Sequence, residues 1–190
     1  MVNGKIALIK EAFKSLFKCV TTRYPMGPPT HVPPGLRGLP QFDEEKCIGC
    51  GACFSSCSSK AITMLNDGDK RIIQVYYMRC IFCGRCEEIC PEEGIKLSDK
   101  FELATLDGDK AFVTVSFDLV KCERCGTPIT TTRQMKKVKE RILEEIDPNV
   151  KETVERDLEK YMTLCPKCRR ILSYELNTNT RKFYLRWWEK

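Results

Sequence analysis

Along residues 5–18, Ile6, Ile9, Ala12, Phe13, Leu16 and Phe17 fall on one side of a helical period, while Lys5, Lys10, Glu11, Lys14 and Lys18 fall elsewhere. This predicts an amphipathic helix. Residues 24–40, YPMGPPTHVPPGLRGLP, break the period with six prolines, which fix φ and remove donors, so an extended strap is expected. The runs AITML and RIIQVYY flank the turn NDGDK and read as two short strands. LDGDKAFVTVSF reads as a strand pair turning at Asp107-Gly108. Helical spacing returns with Met135, Val138, Ile142, Leu143 and Ile146, behind Thr131 and Gln134 in capping-box positions and ahead of a stop at Asp147-Pro148. A second helix, about 150–163, carries Val150, Val154, Leu158 and Tyr161, with Asn149 and Glu152 as its expected cap. The Lys and Glu alternation over 136–160 is that of a solvated helix face.

An internal repeat underlies the middle of the chain. Cys47, Cys50, Cys53 and Cys57 recur as Cys80, Cys83, Cys86 and Cys90 at an offset of 33 residues, and the same offset maps Gly51 onto Gly84, Ile62 onto Ile95 and Met64 onto Leu97. A repeat that covers flanking apolar positions as well as cysteines implies two copies of one structural unit. The organisation expected is therefore a helix and docking strap over 1–40, a duplicated unit over 41–105, and a third region over 106–190.

Composition narrows the chemistry. Thirteen cysteines in 190 residues is far above ordinary usage. The number is odd, the charged start MVNGKIALIKEAFKSLFK does not read as a signal peptide, and the spacings are those of metal sites, so reduced thiolates inside a cell are expected rather than disulfides. No apolar stretch is long enough to cross a bilayer. The formal charge of +6 counts cysteine as neutral. Thiolates gathered around metal ions would carry net negative charge of their own, so the basic balance argues little for a polyanionic partner.

The spacing C-x₂-C-x₂-C-x₃-C-P at 80–91 is the run of bacterial two-cluster ferredoxins, in which the fourth cysteine serves the other cluster. The expected ligands are Cys47, Cys50, Cys53 and Cys90 for cluster one, and Cys80, Cys83, Cys86 and Cys57 for cluster two. Gly49, Gly51 and Ala52, and Gly84 in the second copy, are small enough for a chain wrapped closely between ligands. Ser58 stands where the second copy has Pro91, a departure that touches the surroundings of cluster two without removing a ligand.

Two further knuckles, Cys122-Glu-Arg-Cys125 and Cys165-Pro-Lys-Cys168, lie on either side of the two helices. A helical hairpin would return the chain to its start and bring the four thiols together as a closed structural Zn²⁺ site, with a rubredoxin-like iron, a third cluster or free buried thiols as alternatives. Cys19 reads as a small core residue, and His31 has no neighbours that suggest ligation. The tail YELNTNTRKFYLRWWEK interleaves basic and aromatic residues, a pattern of nucleic-acid binding but also of a final strand and docking tail, which is the preferred reading. The fold class is α+β: a bacterial-type 2[4Fe–4S] ferredoxin fold with an N-terminal helix and strap, and a C-terminal four-cysteine, zinc-ribbon-like domain containing the helical hairpin.

The stretches RGLPQFDEEKCIGCGAC (37–53), CIFCGRCEEICP (80–91) and IKLSDKFELA (95–104) resemble the ferredoxin-like subunit of formate hydrogenlyase and, more widely, such subunits of membrane-bound energy-converting [NiFe] hydrogenases, relatives of the two-cluster subunit of respiratory complex I. The terminal C-x₂-C and CPxC pairs are more similar to the formate hydrogenlyase branch. The resemblance implies an electron-transfer subunit without an active site of its own. It would relay electrons from a donor module to a hydrogenase-type small subunit, peripherally on the cytoplasmic side of a membrane. Helix 5–18 would then dock on a partner subunit in preference to lipid. A related sulfur- or ferredoxin-linked oxidoreductase subunit, a freely diffusing ferredoxin and a nucleic-acid-binding zinc-ribbon protein are the competing readings. The first two differ in membrane co-purification, and the third requires salt-dependent polyanion binding.

Overall fold

The computed structural model describes residues 2–17, 31–104 and 107–176. Cys19, the strap before residue 31 and the tail beyond Leu176 lie outside them. The chain divides into two compact units, residues 1–36 and 37–190. In the first, helix α1 (Val2–Phe17) begins three residues before the expected 5–18, whose last residue lies outside the described ones, and its apolar side chains are exposed, from 57% at Ile6 to 81% at Phe17.

In the second unit the elements run β1 (Pro40–Phe42), α2 (Ala52–Ser56), β2 (Ile62–Asp67), β3 (Lys70–Tyr76), α3 (Arg85–Glu88), β4 (Ile95–Leu97), β5 (Phe112–Lys121), β6 (Pro128–Thr131), α4 (Thr132–Glu145), α5 (Lys151–Met162) and α6 (Pro166–Ile171). The sequence repeat is also a backbone repeat. Moving by 33 residues takes β1 into β3, α2 onto α3 and β2 onto β4. Antiparallel register follows: Pro40 faces Leu97 as Ile73 faces Met64, and Phe42 faces Ile95 as Val75 faces Ile62. Left-handed φ values recur at Gly49 and Phe82, Gly51 and Gly84, and Lys60 and Glu93. Even single hydrogen bonds repeat, with Ser55 N–H donating to Gly51 O at 3.0 Å and Glu88 N–H to Gly84 O at 3.1 Å. Glycine at 51 and 84 admits the left-handed turn that starts each short helix without Cβ strain.

Strand β5 departs from the expectation at 106–117. Asp107 does not turn a hairpin: its carboxylate accepts the Asp109 N–H and caps a 3₁₀ turn, Gly108–Ala111, after which a single ten-residue strand pairs with β3. The reason is non-local, since β3 offers a free edge over its whole length and the short DGDK segment offers no partner of its own. The result is a four-stranded antiparallel sheet in the order β2-β3-β5-β6, beside the two-stranded β1-β4 pair. Strands from 41–105 and from 106–190 therefore share one sheet. Its core joins Ile73 and Val75, both 0% exposed, with Leu39, Ile62, Ile95, Val115 and Phe117, and Cys47 and Cys53 lie within the same cluster. At roughly 25 cal/mol per Å² of apolar surface, these side chains are the main favourable term of the fold.

Helix α4 starts as expected at Thr131, whose Oγ accepts the Gln134 N–H at 3.2 Å. The reciprocal half of the capping box is absent, because the Gln134 side chain is taken by the Thr130 hydroxyl. The cap expected at Asn149 is displaced. Asp147 caps a 3₁₀ turn, Pro148–Val150, by accepting the Asn149 N–H at 2.8 Å, and α5 follows with Val150 at its N-cap and no side-chain cap. Lys139 on α4 reaches Glu155 and Glu159 on α5, an exposed ion-pair contact between the two helices.

Candidate metal centres

The eight cysteines of the repeat sit where each loop tightens into its short helix. Cys53 and Cys86 are on α2 and α3, Cys47, Cys50, Cys80 and Cys83 are in the loops before them, and Cys57 and Cys90 are just after them. Cys57, Cys80, Cys83 and Cys86 line one pocket. Three of these thiols come from the second motif and one from the first. Cys90, conversely, lies near Cys47, whose pKa is raised mainly by burial and further by a Cys90 thiolate. Burial pushes the Cys53 thiol up to about 12 and the Cys86 thiol up to about 11, with neighbouring cysteines adding to both. Bare thiols held this way resist ionisation, so they need a bound cation to become thiolates together. The donor set and the pocket thus fit thiolate-ligated clusters.

The two copies differ in what covers them. Around the first motif, Cys47 and Cys53 are buried. Thr131, fully buried, donates its hydroxyl to Ile48 O. Arg133 donates to Glu44 O and Cys47 O, with its guanidinium 5.4 Å from the Phe117 ring centroid. Beneath the loop, Arg71 is only 7% exposed and donates to Gly49 O at 3.1 Å and to Asn66 Oδ1 at 3.0 Å. Burial lowers its pKa, and a Cys50 thiolate acts in the opposite sense. Around the second motif, Cys83 is exposed, and exposed Arg37 donates to Cys83 O at 3.2 Å. At the Ser58 departure, the neighbouring Ser59 hydroxyl lies 3.6 Å from Cys57 Sγ. Burial alone would raise the Cys57 thiol, but this hydroxyl and the N–H groups of Ile62, Ala61 and Ser59 outweigh it, and its pKa is lowered. In the other copy Cys90 Sγ accepts the Gly94 N–H at 3.1 Å, the counterpart of the Ala61 N–H at Cys57.

Arg71 was not legible as a site residue from its type, but its phase was informative. It lies two and four positions before Ile73 and Val75, and β3 buries all three on one face.

The second group is compact. The Sγ atoms of Cys122, Cys125, Cys165 and Cys168 all lie within 4.8 Å of one another, and Cys125 and Cys165 are 3.6 Å apart. A tetrahedral metal at ~2.3 Å from each sulfur would set S···S distances of about 3.8 Å, so the spacing fits one ion. Helix α6 begins at Cys165, which accepts the Cys168 N–H, and the Cys165 N–H donates to Cys122 Sγ at 3.3 Å. That bond holds the Cys122 thiol well below the ordinary range, whereas burial pushes Cys168 up. Leu164, Ile129, Leu172 and Leu176 pack around the group.

Residues 46–95 match the 4Fe-4S dicluster domain family, which makes this an iron–sulfur protein of the two-cluster class. The chain is 33% identical over 152 residues to formate hydrogenlyase subunit 6 of Escherichia coli (strain K12), a match that covers 79% of this chain and 81% of that protein. It belongs to the formate hydrogenlyase subunit 6 family. It is also similar to a chain in a structure of the membrane-bound sulfane sulfur reductase, an archaeal respiratory membrane complex, at 27% identity, a TM-score of 0.39 and coverage of 53% of this chain and 55% of that one. Among the described residues, no helix is long and apolar enough to cross a membrane.

Proposed function

We propose that this chain relays electrons within a membrane-bound, energy-converting complex of the formate hydrogenlyase type. In this reading it takes electrons from a donor module and passes them to a hydrogenase-type small subunit, peripherally on the cytoplasmic side. When bound, the two [4Fe–4S] clusters supply one-electron acceptor and donor sites. Cys47, Cys50, Cys53 and Cys90 hold one, and Cys80, Cys83, Cys86 and Cys57 hold the other. Cys122, Cys125, Cys165 and Cys168 hold a structural Zn²⁺. Its four protein ligands leave no open coordination position, and its task is to tie α6 to the loop before β6. Residues 1–40, 41–105 and 106–190 serve as docking segment, cluster unit and zinc-stapled unit.

The observation that carries the reading is the pocket lined by Cys57 together with Cys80, Cys83 and Cys86, because ligands crossing between copies are the mark of the two-cluster motif. The exposed apolar side of α1 supports residence in a complex over free diffusion, since large exposed apolar surfaces mark interaction sites. Anaerobic purification, metal and sulfide analysis and low-temperature EPR test the ligand map. About eight Fe, eight sulfide and one Zn per chain are expected, with the magnetic coupling of two nearby clusters after reduction. About twelve Fe without zinc would make the C-terminal cysteines a third redox centre. Recovery in the soluble fraction, away from membrane partners, would favour the free ferredoxin.

A further inference from the structure

A buried guanidinium sits under only one of the two cluster loops. Arg71 is 7% exposed, and its hydrogen-bond partners are neutral, the Gly49 carbonyl and the Asn66 amide oxygen. Among the described residues it has no carboxylate partner. A buried cation without a counter-charge is unfavourable unless negative charge lies beside it. The thiol that interacts with it is Cys50, in the loop that Arg71 holds by its carbonyl.

The repeat supplies an internal control. At the offset of 33 residues, the mate of Arg71 is Gly38, where a Cβ would lie 2.2 Å from Lys100 O and no side chain fits. Next to it, Arg37 contacts the second loop one residue along, at Cys83 O, from an exposed position where water screens its charge. Arg133 adds a second cation on the first-motif side through Glu44 O and Cys47 O, but it too is exposed.

We infer that Arg71 is a charge-positioning residue that selectively stabilises the reduced state at the Cys47, Cys50, Cys53 and Cys90 site and makes that site the higher-potential member of the pair. One-electron reduction adds one negative charge there with no proton to balance it, and a fixed, desolvated positive charge favours that addition. Gly38 leaves the other site without the equivalent charge. The inference rests on the cluster assignment proposed above.

The test is an EPR-monitored redox titration of the full chain, with iron and sulfide counted first in the wild type and in each variant. A wild type short of about eight Fe rejects the cluster assignment and not this inference. With eight Fe present, Arg71→Gln is expected to lower the more positive potential by about a tenfold change in the reduced-to-oxidised ratio at fixed potential, or about 59 mV, and Arg71→Lys to recover most of it. Arg37→Gln is expected to move the other potential by less than about threefold. Should Arg71→Gln fail to fold, Asn66→Asp decides. It places a carboxylate on Arg71 Nε at nearly constant shape and is expected to lower the same potential. Unchanged potentials in the folded Arg71→Gln protein, or in Asn66→Asp if Arg71→Gln does not fold, would overturn the inference. So would equal shifts of both potentials or a shift confined to the lower one.

Discussion

The repeat loops and the C-terminal knuckles use the same C-x₂-C spacing and arrive at opposite geometries. In the C-terminal group four sulfurs converge within 4.8 Å, drawn in by N–H groups at the start of α6 and by the loop before β6. In the repeat, Cys57, Cys80, Cys83 and Cys86 line one pocket without converging in that way, and the left-handed residues at 82 and 84 bend the second loop along it. Spacing alone does not choose between a single ion and a cube. The number of thiols in the loop, and whether backbone turns spread them or gather them, does.

The largest expected effect tests whether the ligands cross between copies. Cys50→Ala combined with Cys57→Ala is expected to abolish both clusters and leave close to no iron, because the two cysteines serve different sites in the proposed ligation. Cys57→Ala combined with Cys83→Ala is expected to leave about four Fe, the same as Cys57→Ala alone. Iron analysis of the three variants checks this. If the Cys50 and Cys57 pair retains about four Fe, the ligation is not crossed.

A smaller but still severe effect is expected at the compact site. Cys165→Ala removes the N-cap of α6 and one of the four clustered thiols, a ligand in the proposed zinc site. Metal binding at structural zinc sites is coupled to folding by on the order of 10 kcal/mol, so helical CD from α5 and α6 should fall and zinc be lost while iron stays at about eight. Loss of iron as well would show that the two regions fold as one cooperative unit.

Thr131 joins the regions directly. It is fully buried, caps α4, and donates to Ile48 O in the first cluster loop. Thr131→Val keeps the shape and removes both bonds, and is expected to cost about 1–3 kcal/mol, read from denaturant unfolding of the holoprotein. A cost under about 0.5 kcal/mol would mean that the cap and the loop bond contribute little to stability.

Much of this was legible in the sequence where the signal was local. Cysteine spacing, the 33-residue offset, the alternation of RIIQVYY and the Thr131 cap are each written within a few residues of the structure they produce. What was not legible depends on partners distant in sequence. The run FVTVSFDLVK reads as a strand from its composition, but nothing in it names β3 as its neighbour, so the Asp107-Gly108 hairpin was expected and a 3₁₀ turn is found. Arg71 is the instructive case, since alternation put it on the inner face and residue type argued against burial. Its burial follows from a loop carbonyl 22 residues upstream and from the thiols beside that carbonyl.

The smallest expected effect concerns the ion pair between Arg141 on α4 and Glu92, two residues past Cys90 in the second-motif loop. It is a charged contact of the C-terminal region with the second-motif loop, as Thr131 and Arg133 contact the first. Glu92 is 14% exposed at its side chain and Arg141 50%, so one end is desolvated while the other stays in water. Partial desolvation offsets much of the Coulomb gain, and pairs of this kind contribute about 0–1 kcal/mol. Glu92→Gln is expected to cost less than about 1 kcal/mol at low salt, and almost nothing near 1 M, where the screening length is about 3 Å. Lys139→Met, which breaks the α4–α5 pairs to Glu155 and Glu159, is expected to behave alike. A cost above about 2 kcal/mol at Glu92 that persists in high salt would mean that α4 is a structural brace for the second cluster loop, and that both copies, not only the first, depend on the C-terminal region for their shape.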